Sequence, residues 1–213
     1  MFAGFNDIIK IFQEEECESI CDYMKKHLDY PKKAIKNCCE GTEVIRFEVT
    51  STGELVNLQV INSVSSGIDA AVIKLLESTS GMWQPGTNKG QLVDMEKEIS
   101  IAFKYGETES FATSKDFDQL ATLFYEKGNK QLLEKNNPKR ALKFYDRGIR
   151  YRPNEDCLLL SRGICKYELG DLEGARLDWS RTSNSGTDKI AQEMMPEFSE
   201  FKGYTELLTL FEK

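Results

Sequence analysis

Glu43-Val-Ile-Arg-Phe-Glu-Val-Thr-Ser-Thr-Gly-Glu-Leu-Val-Asn-Leu-Gln-Val-Ile61 reads as two strands joined by a tight turn. In its first arm Val44, and less strictly Phe47 and Val49, stand among charges. Its second arm, 55–61, is rich in β-branched residues. Ser51-Thr52-Gly53-Glu54 between them is a short turn whose glycine is able to take positive φ. A third strand is predicted over Glu98-Ile-Ser-Ile-Ala-Phe-Lys-Tyr105, where Ile99, Ile101, Phe103 and Tyr105 alternate strictly onto one face. Between the second and third strands, 68–77 reads as a helix with Ala71, Val72, Leu75 and Leu76 as its apolar stripe and Asp69 in its first turn. An upstream helix is predicted over Glu14 to Leu28, with Ile20, Met24 and Leu28 four residues apart. Tyr30-Pro31 ends it, because the residue before proline avoids the helical region. The first half is therefore α+β: helices on one face of a small antiparallel three-stranded sheet.

Composition narrows the classes. The chain has 213 residues, 40% hydrophobic and 30% charged, with a net charge of −7. That is too apolar for intrinsic disorder and too charged for a membrane-embedded chain. An acidic surface disfavours nonspecific nucleic-acid binding, which needs a positive field. One histidine, His27, excludes mechanisms that need two. No basic segment leads into an apolar stretch, and no run reaches the roughly 18 apolar residues of a spanning helix. As written, the chain is expected in the cytoplasm; if a leader or anchor has been trimmed, the expectation becomes periplasmic and inner-membrane-anchored. The six cysteines are Cys17, Cys21, Cys38, Cys39, Cys157 and Cys165. A chain this long does not depend on a disulfide framework. The spacing of the first four misses the usual zinc pattern, so free thiols are the expectation, with no metal and no cofactor.

The second half reads as almost wholly helical, with a repeat. Gly128 and Gly163 lie 35 residues apart, and Ala141 and Ala175 lie 34 apart. Phe124, Tyr145, Gly148 and Pro153 complete the first set, and Leu159 and Trp179 the second. At Gly128 or Gly163 one helix approaches its partner closely; Ala141 or Ala175 receives it, and Tyr145 or Trp179 fills the space beyond. Pro153 stops the second helix. That spacing is the helix–turn–helix period of a tetratricopeptide array. The apolar positions of Met194–Phe211 provide capping helices, which so short a solenoid needs. The polar stretch 106–116 reads as a linker, so the predicted domains are 1–105, α+β, and 117–213, helical.

Two family resemblances follow. Tyr30-Pro31, Ala34, Gly41, Val44, Phe47, Val49, Gly53, Val60, Ser63, Asp69, Ala70, Trp83, Pro85, Gly90, Val93, Ile101 and Phe103 occur in the order and spacing of the TonB C-terminal domain family, which the chain resembles over about 30–105. Glu14-Glu15-Glu16 stands where one branch of that family has Phe-Pro-Gly-Gly. The resemblance implies a small α+β unit that takes an extended peptide of an outer-membrane receptor as an added strand at the sheet edge. By position the peptide-binding residues are Glu98, Ile99, Ser100, Ile101, Ala102, Phe103, Lys104 and Tyr105, with Tyr30 and Pro31 nearby. Energy-transducing members carry a membrane anchor and a Pro-rich spacer ahead of this domain, and these 213 residues contain neither. From about 117 to 186 the chain resembles tetratricopeptide proteins, with one extra residue near Asn136-Asn137-Pro138. By position the implied groove is lined by Thr122, Tyr125, Asn129 and Leu132, then by Leu160, Ile164 and Tyr167. Tyr125 occupies the lysine position of the basic carboxylate clamp found in chaperone-binding members, although Asn129 matches.

Other features are read as structural. The basic run of 127–152 is read as the solvated outer face of a helix, the alternative being a patch for an acidic partner or RNA. Trp83 and Trp179 are read as core, and His27 as a helix-end residue. Gly86-Thr-Asn-Lys-Gly90 is read as a turn, since it lacks the ending of a phosphate loop. With no catalytic constellation, the expected function is a non-enzymatic adaptor that binds an extended peptide at the sheet edge and a second segment in the helical groove. One alternative is a component of a TonB-type envelope energy-transduction system that meets outer-membrane receptors; another is a cysteine- or zinc-dependent enzyme. Protein or peptide partners are expected, with no nucleic acid and no membrane insertion. An exposed edge strand also invites pairing with a second copy.

Overall fold

The structure, a computed structural model, describes residues 20–104, 114–182, 187–193 and 195–211. The chain divides between Ala112 and Thr113 into two compact units.

The first unit opens with α1 (Ile20–His27), and the single turn α2 (Lys32–Lys36) follows Pro31. Ile20, Met24 and Leu28 are buried, so their four-residue spacing does place one face in the core. The earlier part of the predicted helix, 14–19, lies outside the described residues. Then come β1 (Gly41–Val49), β2 (Leu55–Asn62), α3 (Ser66–Glu77), the short strands β3 (Gly86–Asn88) and β4 (Gln91–Val93), and β5 (Met95–Phe103). The main sheet is antiparallel, in the order β2-β1-β5. Helix α3 lies against β1 and β2. Its first turn is capped by Ser65, and Ile68, Val72, Leu75 and Leu76 turn inward. They pack with Ile45, Phe47, Val49, Trp83, Ile101 and Phe103 into one apolar core.

Gly53 is the residue that makes the β1–β2 turn possible. Its φ is +86°, and a Cβ there would stand 2.5 Å from the Trp83 carbonyl oxygen. The Trp83 indole is held in turn by Thr79 Oγ1 (2.8 Å) and meets the Phe47 ring edge-on. The predicted turn at 86–90 belongs to a separate two-stranded hairpin, which the sequence reading does not foresee. Its strands are three residues each and carry no apolar alternation. Lys89 and Gly90, both at positive φ, make its two-residue turn.

In the second unit α4 (Ser114–Asn129) begins inside the predicted linker and runs into a π-helical turn, Lys130–Glu134. After it come α5 (Pro138–Tyr151), α6 (Asp156–Glu168), α7 (Leu172–Ser180), α8 (Thr187–Glu193), α9 (Met195–Phe198) and α10 (Lys202–Phe211). Consecutive helices from α4 to α7 pack on one another. The wide turn sits just before Asn136-Asn137. Asn137 then caps α5 and Pro138 opens it. Two contacts repeat along this unit. A Cβ on Gly128 would meet the Tyr145 ring at 2.4 Å, and one on Gly163 would meet the Trp179 indole at 2.1 Å. Ala141 and Ala175 are fully buried beside them.

Candidate functional site

The sheet has two edges, and they differ. β2 is irregular: its pairing with β1 shifts register twice, and Asn57 takes φ +56°. Such bulges twist an edge away from a straight partner. β5 pairs with β1 through nine residues without a shift, from Gly41 opposite Phe103 to Val49 opposite Met95. Among the described residues no strand pairs with its other side. In an antiparallel ladder alternate residues direct their amide and carbonyl away from the neighbour, so this side offers a regular row of donors and acceptors.

The row is chemically divided. Its first half holds Glu96, Lys97 and Glu98, and Arg46 of β1 reaches Glu98 at 3.2 Å and Glu96 at 3.6 Å. Its second half, Ile99-Ser-Ile-Ala-Phe103, carries no charge. Charges on an edge discourage pairing, so the uncharged half is the part suited to a visiting strand. Ile101 and Phe103 point into the core and Ile99 packs partly against it, which leaves Ser100 and Ala102 half-buried on the opposite face. Tyr30 stands at the end of this segment: its ring meets Phe103 edge-on at 5.3 Å, and its hydroxyl donates to the Cys39 carbonyl. Pro31 follows, its Cβ 3.9 Å from where a Cβ on Gly67 would be. Of the residues expected at the sheet edge, Glu98 to Phe103 lie on β5 with Lys104 directly after it and Tyr30 against Phe103, Pro31 stands against α3, and Tyr105 lies outside the described residues.

One residue beside this edge has no sequence signal, because carboxylates are common in so acidic a chain. Glu43, opposite Ile101 in the ladder, faces the core and is fully buried. Its Oε2 accepts the Val64 amide (2.9 Å), while Oε1 has no hydrogen-bond partner among the described residues. Burial raises its pKa from 4.5 to about 8; the Val64 amide opposes that rise and nearby Asp69 adds to it. Ser63 donates to Asp69, so the corner between β2 and α3 is tied by two carboxyl groups.

The helical groove needs correction. Leu132, Leu160 and Ile164 are fully buried and belong to the core. Helix α10 packs on α6 at Ile164: a Cβ on Gly203 would stand 2.9 Å from the Ile164 carbonyl and 3.0 Å from Tyr167 Cβ. The Gly203 amide donates to Glu168 (2.8 Å), and Tyr204 and Leu207 are buried. The chain's own C-terminal helix therefore fills the place expected of a ligand along α6. Tyr167 lies half-buried against Trp179, and Tyr125 packs against the same core. Asn129 accepts the Tyr145 hydroxyl (2.7 Å). Of the expected groove residues, Thr122 is exposed, donating to the Asp118 carbonyl (2.9 Å).

The cysteines with described side chains, Cys38, Cys39, Cys157 and Cys165, are free thiols. Burial pushes the Cys165 thiol well above its ordinary range, with Glu168 and Asp146 adding to the shift, which opposes thiolate chemistry. Cys38 is exposed and Cys39 half-buried. Cys17 lies outside the described residues. Among the described residues no three His, Cys, Asp or Glu side chains gather as a metal site, and no helix is long and apolar enough to cross a membrane.

Residues 26–105 match the family described as Gram-negative bacterial TonB protein C-terminal. The match starts within α1, four residues before the point at which the resemblance becomes readable, and it covers all the strands of the first unit but none of the helical unit. No curated protein matches the chain.

Proposed function

We propose that the chain is a non-enzymatic component of a TonB-type envelope transport system, and that its sheet binds an extended segment of a partner, such as an outer-membrane receptor, along β5. The observation that carries this reading is the unshifted, uncharged edge of Ile99–Phe103, flanked by Tyr30, in a stretch that matches the TonB C-terminal family. Backbone pairing would bring affinity and neighbouring side chains would bring choice. Five residues of strand span about 17 Å, enough for a short peptide. In this reading Tyr30, Pro31 and Glu98 to Tyr105 form the docking site. The helical unit is read as a short tetratricopeptide-like array, on the strength of its repeated Gly128–Tyr145 and Gly163–Trp179 contacts. Any segment bound there would sit beside α4, since α10 covers α6.

The test uses receptor-derived peptides with N-methyl groups on alternate amides. Strand pairing predicts that methylating one alternate set abolishes binding while the other set is tolerated, with protection of the 99–103 amides from exchange in the bound state. Equal binding of both methylated peptides would rule out pairing at an edge. A second copy of the chain would compete for the same border, so sedimentation equilibrium with and without peptide separates self-pairing from docking.

A further inference from the structure

The outer face of α5 gathers positive charge that no ion pair among the described residues compensates. Lys139, Lys143 and Arg147 repeat at four-residue steps, and Arg140 stands beside them. All four are exposed, and none makes an ion pair among the described residues. The acidic residue of this helix, Asp146, engages Arg162 of α6 (3.2 Å). With Asn137 and Phe144, the four cations line a depression of about 350 Å³. Arg147 also lies over the Phe124 ring of α4, 5.8 Å from its centroid, and Lys127 lies at the same distance from that ring. This concentration occurs in a half of the chain that is net acidic, with 17 basic and 19 acidic residues over 106–213. Like charges at four-residue spacing repel and weaken a helix, so such a face gains from an external counter-charge.

We propose that this face docks an acidic peptide segment of a protein partner, its carboxylates over Lys139, Arg140, Lys143 and Arg147 and an apolar part resting on Phe144. Eight residues of helix separate Lys139 from Arg147, a run of about 12 Å, which roughly four residues of extended chain would cover. A bilayer fits less well, because it is planar and would not enter the depression. RNA fits less well because the depression has one half-buried aromatic ring, Phe144, instead of an open stacking platform.

The test is fluorescence anisotropy of the full chain with labelled poly-glutamate and poly-glutamine peptides of equal length, at low and high salt. The glutamate peptide is expected to bind in a salt-sensitive way, and the glutamine peptide about tenfold more weakly or not at all. Lys143→Glu with Arg147→Glu is expected to weaken glutamate binding about tenfold, with an unchanged circular dichroism spectrum, and to bind poly-lysine more tightly than the parent does. Lys189→Glu with Lys202→Glu makes the same change in net charge elsewhere on the unit and is expected to bind like the parent. The proposal is overturned if the two peptides bind alike, or if both double variants weaken binding equally. It is also overturned if phosphatidylglycerol-containing vesicles or oligouridine bind this face more tightly than the glutamate peptide does. These outcomes do not bear on β5, which no variant touches.

Discussion

Glu43 is a carboxylic acid buried in the wall of an apolar core, and its proton is part of the fold. Folded, it keeps that proton until about pH 8; unfolded, it loses it near 4.5. Its contribution is therefore complete below the unfolded value, declines as pH rises from 4.5 toward 8, and is gone above that. Glu43→Gln keeps the shape without the titration. Near pH 9 the variant should be more stable than the parent by about 2–4 kcal/mol, and near pH 5 the two should be close. Urea unfolding at both pH values checks this, and parallel pH profiles for parent and variant would refute it. Gly53→Ala tests a different constraint. The positive φ and the Trp83 carbonyl at 2.5 Å leave no room for a methyl group, so a loss of about 2–3 kcal/mol is expected in the same assay.

Among the elements, α6 and α7 are held by charge inside the unit. Asp178 is 1% exposed and takes Arg162 at 2.6 and 2.8 Å and Lys166 at 2.9 Å. Removing the carboxylate would leave two cations beside the core. Asp178→Ala should therefore cost about 3–5 kcal/mol, read from the denaturant midpoint. Replacing Arg162 and Asp178 together with apolar residues of similar volume should restore much of that loss, because neither charge is then stranded. No sequence pattern reveals this pair: the partners lie sixteen residues apart on different helices, in a chain where charged residues are common. The strands were more legible. Alternation placed β5, and β-branched composition around a glycine turn placed β1 and β2, each to within a few residues. The β3–β4 hairpin escaped because three-residue strands have too little length for a period.

At the scale of the whole chain, each of the two units has its own apolar core, one built from Ile45, Phe47, Ile68 and Phe103 and the other from Leu132, Tyr145, Leu160 and Tyr204. A separate core is what independent folding requires. Residues 113–213 produced alone should keep a helical circular dichroism spectrum and a cooperative thermal transition, and residues 1–112 should unfold cooperatively without them. A helical piece that melts without cooperativity would mean that its core is incomplete.

Local pattern by itself determined the hairpin, the last strand, the helix between them and the spacing of the helical contacts. These follow from periodicity, turn chemistry and the absence of a side chain on glycine, all of which act over a few residues of chain. Tertiary structure decided which border of the sheet is regular, that Glu43 points inward, and that α10 seals the face of α6. Each of these depends on residues far apart in sequence meeting in space: β1 against β5, Val64 against Glu43, Gly203 against Ile164. Burial and edge exposure are properties of what covers a residue, and the identity of that cover is not encoded in the residue's neighbours along the chain.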